Sequence, residues 1–417
     1  MLAVVDCNAF YCNCERLFRP DLKNTPIVVL SNNDGCVISR TPEAKKFDIA
    51  MGVPYHHISK LCREKKIAVF SSNFALYTNL SHRVMSVLKS ITSRVEVYSV
   101  DEAFIDLSGA RDFFHEGQYI KAEVERLVGI PVSIGIAPTK TLAKMAVEMA
   151  KKSHFGVISL DTKKKQLDAL KGLPVSAVWG VGHGRQLRLQ SIGIKTATDL
   201  MNYKNPLLLR KNLTKLGEQI QDELNGIQCF PLGERTEKKK SISSTRTFSQ
   251  ASYDKIVVSQ AIATHASDVA CELRMQGSVC KKIAIMIRSN PFQSFHEQYN
   301  GMLAANLLTP TSNTFELIKI AFELLDEMWK HGISIHKAGV FALDIQDEHE
   351  HEVDLFAPII DPRQAELMRT IDCINDREGP RMVRSAACGT DNKAWAMRQN
   401  MLSPRYTTSW IDLPMVR

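Results

Sequence analysis

The sequence predicts an α+β protein of more than one domain, and three observations support this. The chain has 417 residues, more than a single hydrophobic core usually organises. Its first part alternates strand-like and helix-like patterns. A polar, basic stretch around Lys238–Lys240 interrupts that pattern, and a new series of the order βαββαβ follows it.

The N-terminal part opens on the apolar run of residues 1–5, a predicted strand that ends at Asp6. Residues 26–30 and 36–39 are predicted strands, and the turn between them contains an Asp-Gly pair, a strong hairpin signal. The other predicted elements of this part are a helix over 74–91, a strand over 132–137 and a helix over 139–152.

The middle of the chain changes character. A glycine-rich turn at 179–184 lies between short predicted helices, and the polar stretch at 234–242 is a predicted linker. The series after it, a ferredoxin-like split unit, has strands over 243–248, 281–288, 296–303 and 337–344 and helices over 255–276 and 314–330.

Composition narrows the class of protein. Hydrophobic residues make up 44% of the chain, the net charge is +8 and the pI is about 8.9. A basic surface of this kind is typical of nucleic-acid binding, although a solvated basic surface is the alternative. The ten cysteines are scattered without zinc-like spacing and indicate inert thiols in a reducing cytoplasm. We expect no signal peptide, and no apolar run approaches the ~18 residues of a membrane span.

Asp101 and Glu102 are the most informative pair in the chain. They lie between two stretches of alternating apolar residues, which predicts a tight hairpin with negative charge at its tip. Asp6 ends another predicted strand. Three carboxylates at neighbouring strand ends would suit two Mg²⁺ ions, the arrangement that phosphoryl transfer uses to neutralise developing charge. An Asp-Glu pair by itself is also typical of a solvated hairpin tip.

Two further patterns favour the catalytic interpretation. Lys140, Lys144 and Lys151 fall on one helical stripe that could neutralise phosphates, with an exposed basic face as the alternative. Phe10 and Tyr11 follow Asp6 closely. Such an aromatic wall could pack against the sugar of a nucleotide and exclude a 2′-hydroxyl, or it could be an ordinary core pair.

Several motifs together resemble the Y-family translesion DNA polymerases. They are residues 6–11 (Asp-Cys-Asn-Ala-Phe-Tyr), residues 99–104 (Ser-Val-Asp-Glu-Ala-Phe) and residues 133–144, from Ser133 to Lys144. Residues 28–38 and 401–408 are more similar to the catalytic subunit of bacterial DNA polymerase V than to polymerase IV. The resemblance covers essentially the whole chain.

This resemblance implies a right-hand polymerase with palm, small fingers, helix-hairpin-helix thumb and ferredoxin-like little finger. The palm would comprise 1–20 and 74–165, the fingers 21–73, the thumb 166–233, the linker 234–242 and the little finger 243–346. Residues 347–417 would contain a clamp-binding peptide and a partner-binding tail that includes Trp395 and Trp410.

The resemblance also assigns roles to residues at matching positions. Asp6, Asp101, Glu102 and the backbone carbonyl of Cys7 would hold two Mg²⁺ ions, and Tyr11 would be the steric gate. The implied nucleotide contacts are Phe10, Ser39, Lys45 and Lys151. Three positions depart from the family pattern: Pro42 stands where many relatives have Tyr, Lys45 replaces an Arg and so lacks its bidentate fork, and Ala9 lacks a hydroxyl found in some relatives.

DNA-binding surfaces are expected at two places. The backbone of the glycine turn, Gly180 and Gly182, would approach a DNA phosphate. The predicted little finger would contact the DNA backbone through Arg246, Lys281, Lys282 and Arg288. Leu355 and Phe356 would anchor the chain to the sliding clamp, although the usual leading Gln of such a peptide is Glu here and an ordinary loop is the alternative.

The expected function is error-prone, template-directed DNA synthesis past lesions in the SOS response, with primed DNA and dNTPs as substrates. In the polymerase V branch the partners would also include the processed UmuD-type dimer and RecA, in the cytoplasm at the nucleoid. The alternatives are a polymerase IV-like enzyme that acts without accessory subunits, a nucleotidyl cyclase, which needs no DNA track, and a non-catalytic DNA-bound scaffold, which needs no intact carboxylates.

Overall fold

The computed structural model describes residues 1–233, 238–293, 297–350, 362–390 and 395–413. They form two units. The first contains the described residues within Met1–Ser31, Gly35–Thr236 and Met401–Arg417, and the second contains those within Asn32–Asp34 and Glu237–Asn400. The predicted α+β class is confirmed.

The first unit contains eight strands and ten α-helices among its described residues. In chain order they are β1 (Leu2–Cys7), α1 (Phe10–Leu17), β2 (Ile27–Leu30), β3 (Val37–Arg40), α2 (Pro42–Lys45), α3 (Tyr55–Glu64), β4 (Ala68–Ser71), α4 (Phe74–Ile91), β5 (Val95–Val97), β6 (Glu102–Asp106), α5 (Phe113–Val128), β7 (Val132–Ala137), α6 (Lys140–Ala150), β8 (Val157–Ser159), α7 (Lys163–Leu170), α8 (His183–Ser191), α9 (Ala197–Met201) and α10 (Pro206–Leu224).

A five-stranded sheet of the order β5-β6-β1-β7-β8 forms the centre of this unit. Strand β1 pairs antiparallel with β6 and with β7, and all of its residues are buried. Because side chains alternate along a strand, Ala3 and Val5 enter one core with α4 and α5, whereas Leu2 and Val4 enter another with α6. The central strand is therefore held on both faces, which fixes the position of Asp6 at its end.

The predicted hairpin around the Asp-Gly turn is confirmed. Strands β2 and β3 pair antiparallel, and β4 lies parallel to β2 on its other side, which gives a small sheet of the order β3-β2-β4. Thr41 caps α2 by accepting a hydrogen bond from the Ala44 N–H, and Pro42 occupies the first helical position. This small sheet and its helices have their own apolar core.

The second unit has the predicted element order βαββαβ, followed by one more helix. The elements are β9 (Ile242–Ser252), α11 (Lys255–Met275), β10 (Ser278–Arg288), β11 (Asn300–Thr311), α12 (Thr314–Met328), β12 (Ile335–Asp347) and α13 (Pro362–Glu378). The sheet order is β11-β10-β12-β9. Each βαβ half is thus split: β12 lies between β9 and β10, and β10 lies between β11 and β12.

All four strands of this sheet are longer than predicted, and β11 is also shifted along the chain. We expected a strand over 296–303, but β11 runs from Asn300 to Thr311 and includes Pro310. A proline cannot donate a ladder hydrogen bond, so it is usually evidence against a strand. Strand β11 lies at the edge of the sheet, where one side of its backbone needs no partner, and the strand therefore continues through the proline.

The C-terminal residues do not form a single tail. Trp395 is 1% exposed and packs against Phe248 and His265 in the core of the second unit. Its predicted availability to a protein partner is therefore wrong, because burial removes its ring from the surface. Trp410 is 90% exposed. From Met401 onward the described residues belong to the first unit.

Two further features concern the cysteines and the length and hydropathy of the helices. All ten cysteines are free thiols, and most are buried, with Cys373 exposed. No helix in the described part of the chain is long and apolar enough to cross a bilayer.

Candidate active site

Strand pairing brings the predicted acidic residues together at one end of the central sheet. Asp6 on β1 lies directly opposite Glu102, the first residue of β6. The Cys7 N–H donates to the Asp101 carbonyl at 2.9 Å, which fixes the turn before β6. The Ser99 hydroxyl donates to Oδ1 of Asp101 at 2.6 Å. The hairpin predicted at these residues is confirmed, with β5 as its other arm.

The lysines predicted to form a stripe on α6 each form an ion pair with a carboxylate. Lys144 Nζ donates to Oε1 of Glu102 at 2.5 Å, and Lys151 Nζ donates to Oδ2 of Asp6 at 2.9 Å. Lys140 Nζ lies 2.7 and 2.6 Å from the two carboxylate oxygens of Glu96 on β5. Each lysine therefore faces a carboxylate of the sheet. Lys140 and Lys144 do not form an exposed basic face, whereas Lys151 is exposed as well as paired.

The two paired carboxylates differ in their affinity for protons. Burial and the hydrogen bond shared with Glu102 raise the pKa of Asp6 well above its usual range, although Lys151 opposes the shift. For Glu102, burial is outweighed by the hydrogen bond to Asp6 and by Lys144, so its pKa is lowered. Two acidic groups this close cannot both hold their charge unless cations neutralise them.

These residues fit a divalent cation by their chemistry. Asp6, Asp101 and Glu102 all line one pocket, and hard oxygen donors are the ligands that Mg²⁺ prefers. Burial is the main cause of the raised pKa of Asp6, and it disfavours the charged form that a bound cation would stabilise. In the described arrangement, however, no three acidic, histidine or cysteine side chains of the described residues converge closely enough to hold a metal ion. Asp101 turns to Ser99, and the lysines supply the neutralising charge.

The pocket has a volume of about 730 Å³ and an aromatic side. Strand β1 and helix α1 are joined by two residues, and Ala9 adopts the left-handed conformation with φ 40°. Such backbone strain in a residue with a Cβ is found mainly at functional sites. The sharp turn places Phe10 and Tyr11 beside Asp6 in the pocket wall. Burial and the charge of Asp101 raise the pKa of the Tyr11 phenol.

The opposite side of the pocket comes from the small sheet. Ser39 on β3 is buried, and its hydroxyl oxygen accepts a hydrogen bond from the Cys12 thiol at 3.2 Å. Lys45, at the end of α2, lines the pocket and is exposed. The structure therefore brings the predicted nucleotide contacts Phe10, Ser39, Lys45 and Lys151 to the same pocket as the carboxylates.

Comparisons with known proteins show the family of this chain. A model of the impB/mucB/samB family matches residues 5–148, and its C-terminal domain model matches residues 239–355. Protein ImpB of Salmonella typhimurium is 40% identical, and Protein UmuC of the same species is 39% identical, each over the whole of both chains. The chain belongs to the impB/mucB/samB family.

A more distant relative and a solved structure also match this chain. DNA polymerase IV of Bacillus velezensis is 27% identical over 92% of both chains. A solved Y-family DNA polymerase chimera is similar in fold, with a TM-score of 0.66, 21% identity and coverage of 83% of this chain and all of the other. A model described as a domain of unknown function, DUF4113, matches residues 365–416.

The predicted DNA contacts of this family member lie in both units. Gly182 is the N-cap of α8, and Gly180, with φ 90°, lies just before it; both are exposed. In the second unit, Ile283, Ile285 and Ile287 face the core, so Lys282 and Arg288 project from the opposite, open face of the sheet. Lys281 is exposed at a bulge of β10.

Arg246 differs from the other predicted contacts. On β9 it shares its face with Ser244, whose hydroxyl contacts His265 and Asp268 of α11. It therefore lies on the helix-covered side of the sheet, where burial and the nearby Arg381 lower the pKa of its guanidinium. Arg246 therefore does not share the open face with Lys282 and Arg288, and its DNA contact stays a prediction. Leu355 and Phe356, the predicted clamp anchors, lie outside the described residues.

Sequence reasoning missed Tyr77, whose ring stacks on Tyr11 with centroids 4.5 Å apart. It also missed Glu96, the partner of Lys140. A signal for the first was present: Glu15 and Tyr77 are polar residues on the apolar faces of α1 and α4, and both are fully buried. Their contact depends on how two helices pack, which the sequence pattern does not give.

Proposed function

We propose that the chain is a template-directed DNA polymerase that performs error-prone translesion synthesis in the SOS response. It would transfer a nucleotidyl group from a dNTP to the 3′-hydroxyl of a primer. One observation carries the proposal: two carboxylates that face each other across strands, the buried Asp6 and the half-buried Glu102, lie with Asp101 in a pocket walled by Tyr11. Family membership and the fold agree with it.

In this proposal Asp6, Asp101, Glu102 and the Cys7 carbonyl hold two Mg²⁺ ions. When bound, the ions activate the primer hydroxyl and neutralise the triphosphate. The protein contributes the placement of its carboxylates, which β1 and β6 set by their register. Lys151 lies at the pocket and is positioned to exchange its contact with Asp6 for a phosphate.

Sugar selection is assigned to Tyr11. Its ring borders the pocket beside Asp101 and is braced by other aromatic rings. A ribonucleotide adds one hydroxyl, and a rigid wall rejects it by overlap rather than by a lost contact. Phe10, Ser39 and Lys45 contribute the remaining contacts to the nucleotide.

The DNA track would use backbone contacts that do not depend on sequence. Gly180 and Gly182 offer backbone groups at the start of α8, and Lys281, Lys282 and Arg288 present charge on β10. Lys337, which pairs with Arg288 across the strands, adds a further cation to the same open face. Binding of this kind weakens steeply as salt rises.

Accessory partners follow from the branch of the family. The full-length match at 37–40% identity to ImpB, UmuC, SamB and MucB favours a polymerase V-like enzyme over a polymerase IV-like one. We therefore propose a sliding clamp, bound through Leu355 and Phe356, a processed UmuD-type dimer and RecA as partners, in the cytoplasm at the nucleoid.

Primer extension with Mg²⁺ and dNTPs tests the function. Wild type, alone and with clamp, UmuD-type dimer and RecA filament, is compared with Asp101→Asn. We expect the variant to lose at least ~10³-fold in rate, because one carboxylate of the charge-neutralising set is gone. Asp106→Asn is the matched control: Asp106 ends β6, the strand that follows Asp101, and pairs with Arg94 away from the pocket. Retained DNA binding with no extension by wild type under any condition would leave the scaffold alternative.

A further inference from the structure

A second aromatic ring stands directly behind Tyr11. The ring of Tyr77 on α4 stacks on it, with centroids 4.5 Å apart and planes 19° from parallel. Phe74 meets the same ring edge-on at 6.1 Å, and Phe10 lies tilted at 5.8 Å. Tyr77 is completely buried, so its ring is packed on all sides and cannot move away from Tyr11. Tyr11 therefore rests against a fixed surface on the side away from the pocket.

The hydroxyl end of Tyr77 is hydrogen-bonded to α1, the helix that carries Tyr11. Its hydroxyl donates to Oε1 of Glu15 at 2.7 Å, and Glu15 lies one turn beyond Tyr11 on α1. Glu15 is also fully buried, and burial raises the pKa of its carboxyl to about 7. Burying a carboxylic group costs free energy that an apolar residue would not cost. What the Glu15–Tyr77 bond provides in return is a fixed ring orientation.

A further set of contacts behind Tyr77 comes from the C-terminal strap, which we define as residues 401–406. Its Met401 carbonyl accepts a hydrogen bond from the Ser71 N–H at 2.9 Å. Asn73, the N-cap of α4, donates to the Ser403 hydroxyl oxygen at 3.0 Å while its own carbonyl oxygen accepts from the Leu76 N–H. Tyr406 is 8% exposed and stacks on Phe18, next after α1. The strap thus fastens the start of α4 and the end of α1.

We propose that Tyr77, held by Glu15 and by the C-terminal strap, is a positioning residue that fixes Tyr11 for the selection of deoxyribonucleotides. The proposal rests on the proposed role of Tyr11 as the wall that excludes a 2′-hydroxyl. A wall rejects one extra oxygen only if it resists displacement of about an ångström, since an atom that finds such space no longer overlaps. A stacked, hydrogen-bonded ring behind Tyr11 supplies that resistance.

The test measures the ratio of kcat/KM for a dNTP to kcat/KM for the matching rNTP in single-nucleotide primer extension. Tyr77→Leu removes the stack, and we expect the ratio to fall about tenfold, the effect of losing a favourable aromatic pair. Tyr77→Phe keeps the ring and loses the hydroxyl, so a smaller fall is expected. Leu88→Ala is the matched control: Leu88 is equally buried on α4 and makes no ring contact with Tyr11. It should lower thermal stability and leave the ratio unchanged.

A double-mutant cycle separates the inference from the function on which it rests. Tyr11→Ala should lower the ratio strongly, and adding Tyr77→Leu to it should have no further effect, because Tyr77 acts only through Tyr11. An unchanged ratio in Tyr11→Ala overturns the proposed steric gate. If Tyr11→Ala lowers the ratio while folded Tyr77→Leu and Tyr77→Phe match wild type, the positioning role is wrong and Tyr77 is a packing residue only. Additive effects in the double variant also overturn it.

Discussion

Glu15 shows at the scale of one residue how a buried acid links stability to pH. Its pKa is raised from 4.5 to about 7 in the folded protein, first by burial. The folded state therefore binds this proton more tightly than the unfolded state does. The contribution to stability is fully present below about pH 4.5 and is lost as pH rises through about 7.

Glu15→Gln removes this dependence, because an amide does not titrate and still accepts the Tyr77 hydrogen bond. We expect the variant to lose less free energy of unfolding than wild type between pH 4.5 and 8, by about 3 kcal/mol. Urea unfolding at several pH values measures it. Glu64→Gln, the same change at an exposed position on α3, should keep the slope of wild type. Equal slopes for Glu15→Gln and wild type would contradict the assignment.

The two tail tryptophans show how little residue type alone decides. Trp395 lies in the core of the second unit, and Trp410 is almost fully exposed. Their sequence neighbourhoods are similarly mixed, and neither lies in a periodic helix or strand pattern. Only packing against Phe248 and His265 distinguishes the first from the second.

At the scale of elements, the site depends on how closely α6 approaches β7. A Cβ on Gly135 would lie 2.1 Å from the Val147 backbone nitrogen and 2.4 Å from the Ala143 carbonyl oxygen. The glycine thus allows the helix backbone to rest on the strand. That contact sets the distance from Lys144 and Lys151 to the carboxylates of β6 and β1.

Gly135→Ala should therefore lower the free energy of unfolding by about 3 kcal/mol, because backbone atoms cannot move aside as a side chain can. Polymerase activity should fall as well, since the helix must shift away from the sheet. Gly109→Ala provides the control, because no heavy atom outside its chain neighbours lies within 4 Å of its added Cβ. Denaturant unfolding and primer extension measure the two effects. Equal stability of the two variants would show that α6 can adjust without cost.

At the scale of the whole molecule, the described residues up to Asn400 at the end of the second unit are followed by residues 401–413, which belong to the first. The match to DUF4113 spans residues 365–416 and so crosses this boundary. One part of it, α13 and Trp395, belongs to the second unit, and the strap belongs to the first. The segment matched by this family model therefore contributes residues to the cores of both units.

Deleting the residues from 401 onward should loosen the first unit selectively. Loss of the strap removes the hydrogen bonds to Ser71 and Asn73 and the Tyr406–Phe18 stack. Amide hydrogen exchange should increase in α1, β4 and the first turns of α4, and remain unchanged in β10 and β12. Uniform protection in both units after the deletion would contradict a stabilising role of the strap.

The sequence by itself determined the periodic elements and the acidic motif. Helix α4 and strand β7 begin and end where their apolar periods do, and the Asp-Gly pair gives the β2–β3 hairpin, since these depend on neighbours within a few residues. Packing decided the rest. Register placed Asp6 opposite Glu102, a glycine contact brought the lysines over both, and helix packing placed Tyr77 behind Tyr11. These contacts join residues far apart in the chain, and a local pattern carries no information about which distant surface will cover it.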